Sequence, residues 1–177
     1  ATELLKDNGS HVLALVNVVG SSLARMADSV FYLHVGPEIG VASTKAYLGM
    51  LVGQLLLAKH WDSNNKLDTS LEEIKALPSL IEEALKCEDQ VKEISKLIYK
   101  KKDIYFIGRG LDYALAAEGA LKLKEISYLH AEALAAGELK HGTLALIEEG
   151  TPVIVTASQR HLLDKTTSNV QEVIARG

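Results

Sequence analysis

A single cysteine, no excess of positive charge and no apolar run of membrane length narrow the possibilities for this 177-residue chain before any motif is read. Cys87 has no second thiol to pair with, which excludes an internal disulfide and fits a reducing, cytoplasmic setting. Lys and Arg number 19 against 23 Asp and Glu, a formal charge of −4, so nothing pulls the chain generally towards nucleic acid or an anionic membrane. Any anion it binds must be held locally. The longest strongly apolar stretch, residues 46–58, is interrupted by Gln54 and contains Gly49 and Gly53; it is too short for a bilayer and reads as a buried helix. The opening ATELLKDNGS has acidic residues and no basic region ahead of an apolar core, so it does not read as a secretory signal.

What is present is a globular composition, 47% apolar and 24% charged, enough to bury a core in one ordinary domain or two small ones. HVLALVN (11–17) and VFYLHV (30–35) are short Val- and Leu-rich runs bounded by glycine and serine, as expected of buried strands. SSLARMADS between them has room for a turn or two of helix. After Gly36-Pro37, Ser43 or Thr44 can cap a long helix running to about His60. Residues 62–102 are richer in charge and carry helical apolar spacing, so they read as linking helices. DIYFI (103–107) is a strand running into Gly108-Arg109-Gly110, followed by an Ala-rich helix from Leu111 to about Leu129. A loop and short helix are expected over 130–147, a strand at TPVIVTAS from Thr151, and a closing helix over 161–176. This alternation predicts an α/β fold with parallel sheets covered on both faces. The strands are too few for two complete doubly wound sheets, and the first residues look like the tail of a helix, so a fragment is expected.

The densest polar cluster is EGALKLKEISYLHAEALAAGELKHG (118–142). On a helix, Glu118, Lys122 and Glu125 fall at i, i+4 and i+7, so two carboxylates bracket one ammonium on a single stripe. Such a stripe is what a solvated salt-bridge face looks like. It is also what a general base held beside a lysine looks like, with His141 as a second proton carrier. Spacing alone does not choose. His130, Glu132 and His141 match no common zinc pattern, and no metal is expected. Gly108-Arg109-Gly110 lacks the third glycine and the acidic residue of a dinucleotide fingerprint, so no nicotinamide or flavin cofactor is expected; the segment either turns the chain or cradles a phosphate. Ser43, Thr44 and Lys45 at a helix start suit an anion, and equally serve as ordinary caps.

GPEIGVASTKAY (36–47), and ALKLKEISYLHAEALAAGELKHG (120–142) followed by PVIV (152–155), resemble the isomerase part of glutamine:fructose-6-phosphate amidotransferases, the glucosamine-6-phosphate synthases. The resemblance covers almost the whole chain and is weakest over 62–102. It implies two flavodoxin-like sugar-isomerase domains in tandem, both incomplete here: residues 1–62 the later part of the first, 63–88 a helical linker, 89–177 most of the second. It also implies a phosphosugar substrate, fructose 6-phosphate, handled without metal or organic cofactor, a separate glutaminase domain that supplies ammonia, and a homodimer. By position, Glu125 resembles the base that moves a proton between C1 and C2, Lys122 the lysine beside it, and His141 the ring-opening histidine donated by a neighbouring subunit. Val41 and Ser43 lie in a segment that resembles a sugar-contacting wall. The family's Ser-Gln-Ser-Gly-Glu-Thr phosphate cradle, the lysine of its C-terminal tail and its glutaminase domain have no counterpart in these 177 residues, so the isolated chain is expected to be inactive. Thr143 stands where the family usually has proline after ELKHG, a change in loop stiffness. The rival readings are a phosphosugar-binding regulatory module without turnover, and a scaffold that binds no phosphosugar.

Overall fold

The computed structural model describes residues 1–64 and 66–177 and divides the chain into two compact units, Ala1–Lys86 and Cys87–Gly177.

In the first unit a short helix α1 (Thr2–Asp7) precedes strand β1 (Leu13–Val16), helix α2 (Ser22–Met26), strand β2 (Ser29–Tyr32), the long helix α3 (Lys45–Trp61) and α4 (Leu71–Leu85). The two strands pair in parallel, Leu13 opposite Ser29 through Val16 opposite Tyr32. Parallel neighbours need a crossover, and α2 supplies it. Ser21 caps α2 by accepting the Ala24 amide. Gly53 of α3 is buried, and a Cβ there would come within 3.1 Å of Leu15 and 3.2 Å of Leu33, so the missing side chain lets helix and sheet approach closely. α4 begins with a reciprocal capping box, the Ser70 hydroxyl taking the Glu73 amide and the Glu73 carboxylate the Ser70 amide.

The second unit runs α5 (Glu88–Ile98), β3 (Asp103–Gly108), α6 (Leu111–Ser127), β4 (His130–Ala135), two 3-10 segments (Ala136–His141 and Thr143–Leu146), β5 (Val153–Val155), a 3-10 turn at Arg160–Leu162 and α7 (Leu163–Arg176). Its sheet is parallel in the order β4-β3-β5. The central strand is buried from Ile104 to Gly108, which is why its sequence is an apolar run rather than an alternation. Its two faces meet two cores. Tyr105 and Ile107 pack with Leu134, Ala136, Leu139 and Ile147, with Val173 of α7 against them. Ile104 and Phe106 pack with Ala131 and with Ala116 and Ala120 of α6. The small residues of α6 let it lie close to the sheet; a Cβ on Gly119 would approach Phe106 to 3.1 Å.

One expectation fails here. Residues 130–135 form strand β4, where a loop and short helix were expected, because six consecutive register pairs with β3, from Asp103 opposite His130 to Gly108 opposite Ala135, override the weak strand propensity of HAEALA. The break from α6 is made at Tyr128, which adopts the left-handed conformation (φ 61°) without the glycine that normally announces it. No helix among the described residues is long and apolar enough to cross a membrane.

Candidate functional site

Helix α6 carries the expected stripe. The Lys122 ammonium donates to Glu125 Oε2 at 2.6 Å and lies 3.4 Å from Glu118 Oε1. All three side chains are largely but not fully shielded, Lys122 being 19% exposed and Glu125 24%. The Glu125 hydrogen bond raises the Lys122 pKa above its ordinary value, aided by the charges of both carboxylates and opposed by partial burial. Lys122 is therefore a fixed cation, unsuited to act as a base at neutral pH. Glu125 uses one oxygen on Lys122; its other oxygen takes no hydrogen bond from the described residues, which leaves an acceptor for a proton from outside. The stripe faces away from the sheet, because the opposite side of α6 is the one that buries Ala116 and Ala120.

His141 closes the first 3-10 segment and is exposed, and among the described residues no hydrogen bond or ion pair joins it to Glu125 or Lys122. His130, the other histidine of the motif, pairs with Asp103 at 2.8 Å where β3 and β4 begin. That is a sheet-edge role.

In the first unit, Val41 and Ser43 lie in the irregular segment before α3. Val41 is 89% exposed, and the Ser43 hydroxyl donates to Glu38 Oε2 at 2.9 Å. The Thr44 amide donates to Glu38 Oε1 at 2.8 Å, and this bond, the largest of several, holds the Glu38 carboxyl below the ordinary range. The start of α3 thus does receive an anion, and it is the chain's own. At the carboxyl ends of β1 and β2, Asn17, Val18, His34, Gly36 and Pro37 line an open cavity of about 410 Å³. Ligands of open α/β sheets are bound at that end of the strands. Asn17 shapes its rim by donating to the Gly36 carbonyl and accepting the Val35 amide.

The corresponding end of the second sheet holds a cluster that sequence reasoning missed. Because β4 and β5 lie on opposite sides of β3, the chain changes direction at the end of β3, where doubly wound sheets open a crevice. Here the crevice is bridged. Asp112, fully buried, accepts the Ser158 hydroxyl (2.5 Å), the Ser158 amide (3.0 Å) and the Gln159 amide (3.3 Å). The Ser158 hydroxyl is the main reason its carboxyl stays below the ordinary range despite burial. Gln159 Nε2 donates to the Arg109 carbonyl at 2.7 Å, and Arg109 Nη1 to Asn169 Oδ1 at 2.6 Å. Both glycines of Gly108-Arg109-Gly110 are accounted for. A Cβ on Gly108 would stand 2.4 Å from the Asp112 carbonyl carbon, while Gly110 has φ 54° and lies under the Gln159 amide. The segment is a turn. The only sequence signal was an Asp in the first turn of a helix, which reads as an ordinary dipole partner.

Parallel sheets with covering helices, and a carboxylate–ammonium–carboxylate stripe on the helix after a glycine turn, define an α/β protein. A family model described as SIS domain matches residues 1–59 and 97–177, and the chain belongs to that family. It is 51% identical, over 97% of its length, to a glutamine–fructose-6-phosphate aminotransferase (isomerizing) of Clostridium tetani, and 49% identical to one from Pyrococcus horikoshii. Among solved structures, the C-terminal domain of glucosamine-fructose-6-phosphate aminotransferase from Francisella tularensis superposes on 99% of the chain with a TM-score of 0.92 and 42% identity. The chain spans 29% of the length of the Clostridium relative, 30% of the Pyrococcus one and 51% of the solved Francisella chain.

Proposed function

We propose that the chain is part of the isomerase region of a cytoplasmic glucosamine-6-phosphate synthase, which makes glucosamine 6-phosphate and glutamate from fructose 6-phosphate and glutamine. Residues 1–62 belong to one sugar-isomerase domain, 63–88 connect, and 89–177 form most of a second. The observation that carries the reading is the α6 stripe: Glu125 has one oxygen bonded to a permanently charged Lys122 and the other unbonded. A carboxylate so placed can take a proton from C1 of a bound imine and return it to C2, and adjacent carbons need only one such group. The Lys122 ammonium stabilises negative charge that develops on the sugar during the transfer. His141 opens the sugar ring, and Val41 and Ser43 contact the sugar. No metal or organic cofactor takes part, and ammonia comes from a glutaminase domain elsewhere in the full-length protein. The test is direct. The full-length protein incubated with fructose 6-phosphate and glutamine yields glucosamine 6-phosphate; absence of amino sugar under conditions where glutamine is hydrolysed would sink the reading. The 177 residues produced alone yield none.

His141 is exposed and bonded to no member of the stripe, which supports its donation to a neighbour's site within a homodimer. Sedimentation of the full-length protein at micromolar concentration therefore gives a dimer or larger assembly. A single species at the monomer mass would refute the shared site.

A further inference from the structure

We propose that the Ser158–Gln159 turn is a socket for a small oxyanion, carboxylate or phosphate, which the chain occupies with its own Asp112, so that the second sheet's crevice is closed to ligand unless that side chain is removed.

Three donors converge on one carboxylate there: a hydroxyl and two successive backbone amides, at 2.5 to 3.3 Å. Successive amides turned towards one point form the concavity in which proteins hold phosphate and carboxylate groups, and a hydroxyl alongside completes the usual donor set. The socket lies where β3 and β5 end and the chain changes direction, the place open α/β sheets use for ligands. The occupant comes from far away in sequence, 46 residues before Ser158, and is fully buried. Gln159 then closes the crevice over it by reaching the Arg109 carbonyl. Ser158 itself reaches the surface, so a free anion has a path to the socket. The first unit contrasts with this. Its strand ends border an open cavity of about 410 Å³. If the chain handles a phosphosugar as proposed above, its phosphate does not enter the second unit's crevice.

The experiment reads folding stability, so its outcome does not depend on whether the stripe turns over a sugar. Thermal unfolding of the chain, D112G and D112N is followed in chloride, acetate and inorganic phosphate at matched ionic strength. Acetate is the piece that D112G deletes. In chloride D112G loses about 10 °C in melting temperature, because buried donors are left without an acceptor. Acetate or phosphate restores at least half of that loss, rising with anion concentration as a bound ligand requires, and raises the parent chain only by the far smaller general effect of such salts. D112N, which fills the space but turns an amide group towards donors, is destabilised and not rescued. Adding S158A to D112G weakens the rescue. The proposal is overturned if D112G gains nothing from either anion, if the parent chain gains as much, or if D112N is as stable as the parent. Should D112G fail to fold in chloride, refolding in acetate recovers soluble protein, and failure to recover it also overturns the proposal.

Discussion

Glu125→Gln in the full-length protein lowers the rate of glucosamine 6-phosphate formation by about 100-fold or more while glutamine hydrolysis continues. The expectation follows from what the substitution keeps and what it removes. Gln retains the length of the side chain and an oxygen for Lys122, now 2.6 Å from Glu125 Oε2, so the helix and its lysine stay in place. It removes the ability to take a proton. Because Glu125 is 24% exposed and its loss strands no buried partner, the melting temperature moves little. Glu118→Gln is the internal control: it shares the stripe, lies farther from the ammonium at 3.4 Å, and weakens the rate only a few-fold. Equal losses at the two positions would mean that the stripe acts as a general field rather than through one base. Parallel loss of hydrolysis and isomerisation would mean that the variant had damaged the fold.

Gly108→Ala destabilises the second unit by on the order of 3 kcal/mol, and Gly108→Val prevents it from folding. A Cβ at this position would lie 2.4 Å from the carbonyl carbon of Asp112, 2.5 Å from its oxygen and 2.7 Å from the Tyr113 amide nitrogen. All three are backbone atoms, so no side chain can swing aside. The last residue of β3 and the first turn of α6 would be forced apart, and Asp112 would be drawn from Ser158 with them. Gly40→Ala provides the comparison, since a Cβ there meets nothing within 4 Å and the backbone is not in the left-handed region. It stays within about 0.5 kcal/mol of the parent in urea unfolding. If Gly108→Ala unfolded no earlier than Gly40→Ala, the close approach of strand and helix would not be what the glycine serves.

The strands β1, β2, β3 and β5 were legible because each is a short apolar run next to glycine, serine or proline, the long helices α3 and α6 from a cap ahead of an apolar run and from Ala-rich composition, and α4 and α5 from helical apolar spacing. The stripe was legible too, since Glu118, Lys122 and Glu125 lie within seven residues of one another and helical spacing fixes their geometry. β4 was not, because Ala and Glu favour a helix locally and the register with β3 is a tertiary fact. Nor could the partners of the Glu38 and Asp112 carboxylates be read. Glu38 reaches Ser43 and Thr44 across an irregular loop, and Asp112 reaches Ser158 across an entire α/β crossover. Sequence showed hydroxyls that suit an anion at Ser43 and Thr44 but gave no such signal at Ser158; at both places only the fold supplies the anion.

The sheet order of the second unit also dictates when that unit can assemble during synthesis. Leu13 finds Ser29 soon after it leaves the ribosome, so the first unit's strand pair can form early. β3 finds β4 after one helix, but Tyr105 must wait for Val153, and the clasp on Asp112 must wait for Ser158. Until then one edge of the most buried strand among the described residues stands unpaired, with its backbone donors and acceptors open to a neighbouring nascent chain. A pause in translation between residues 136 and 152 would lengthen that exposure. Slow codons there are the ones expected to lower soluble yield, and a chaperone that shields nascent strands to restore it.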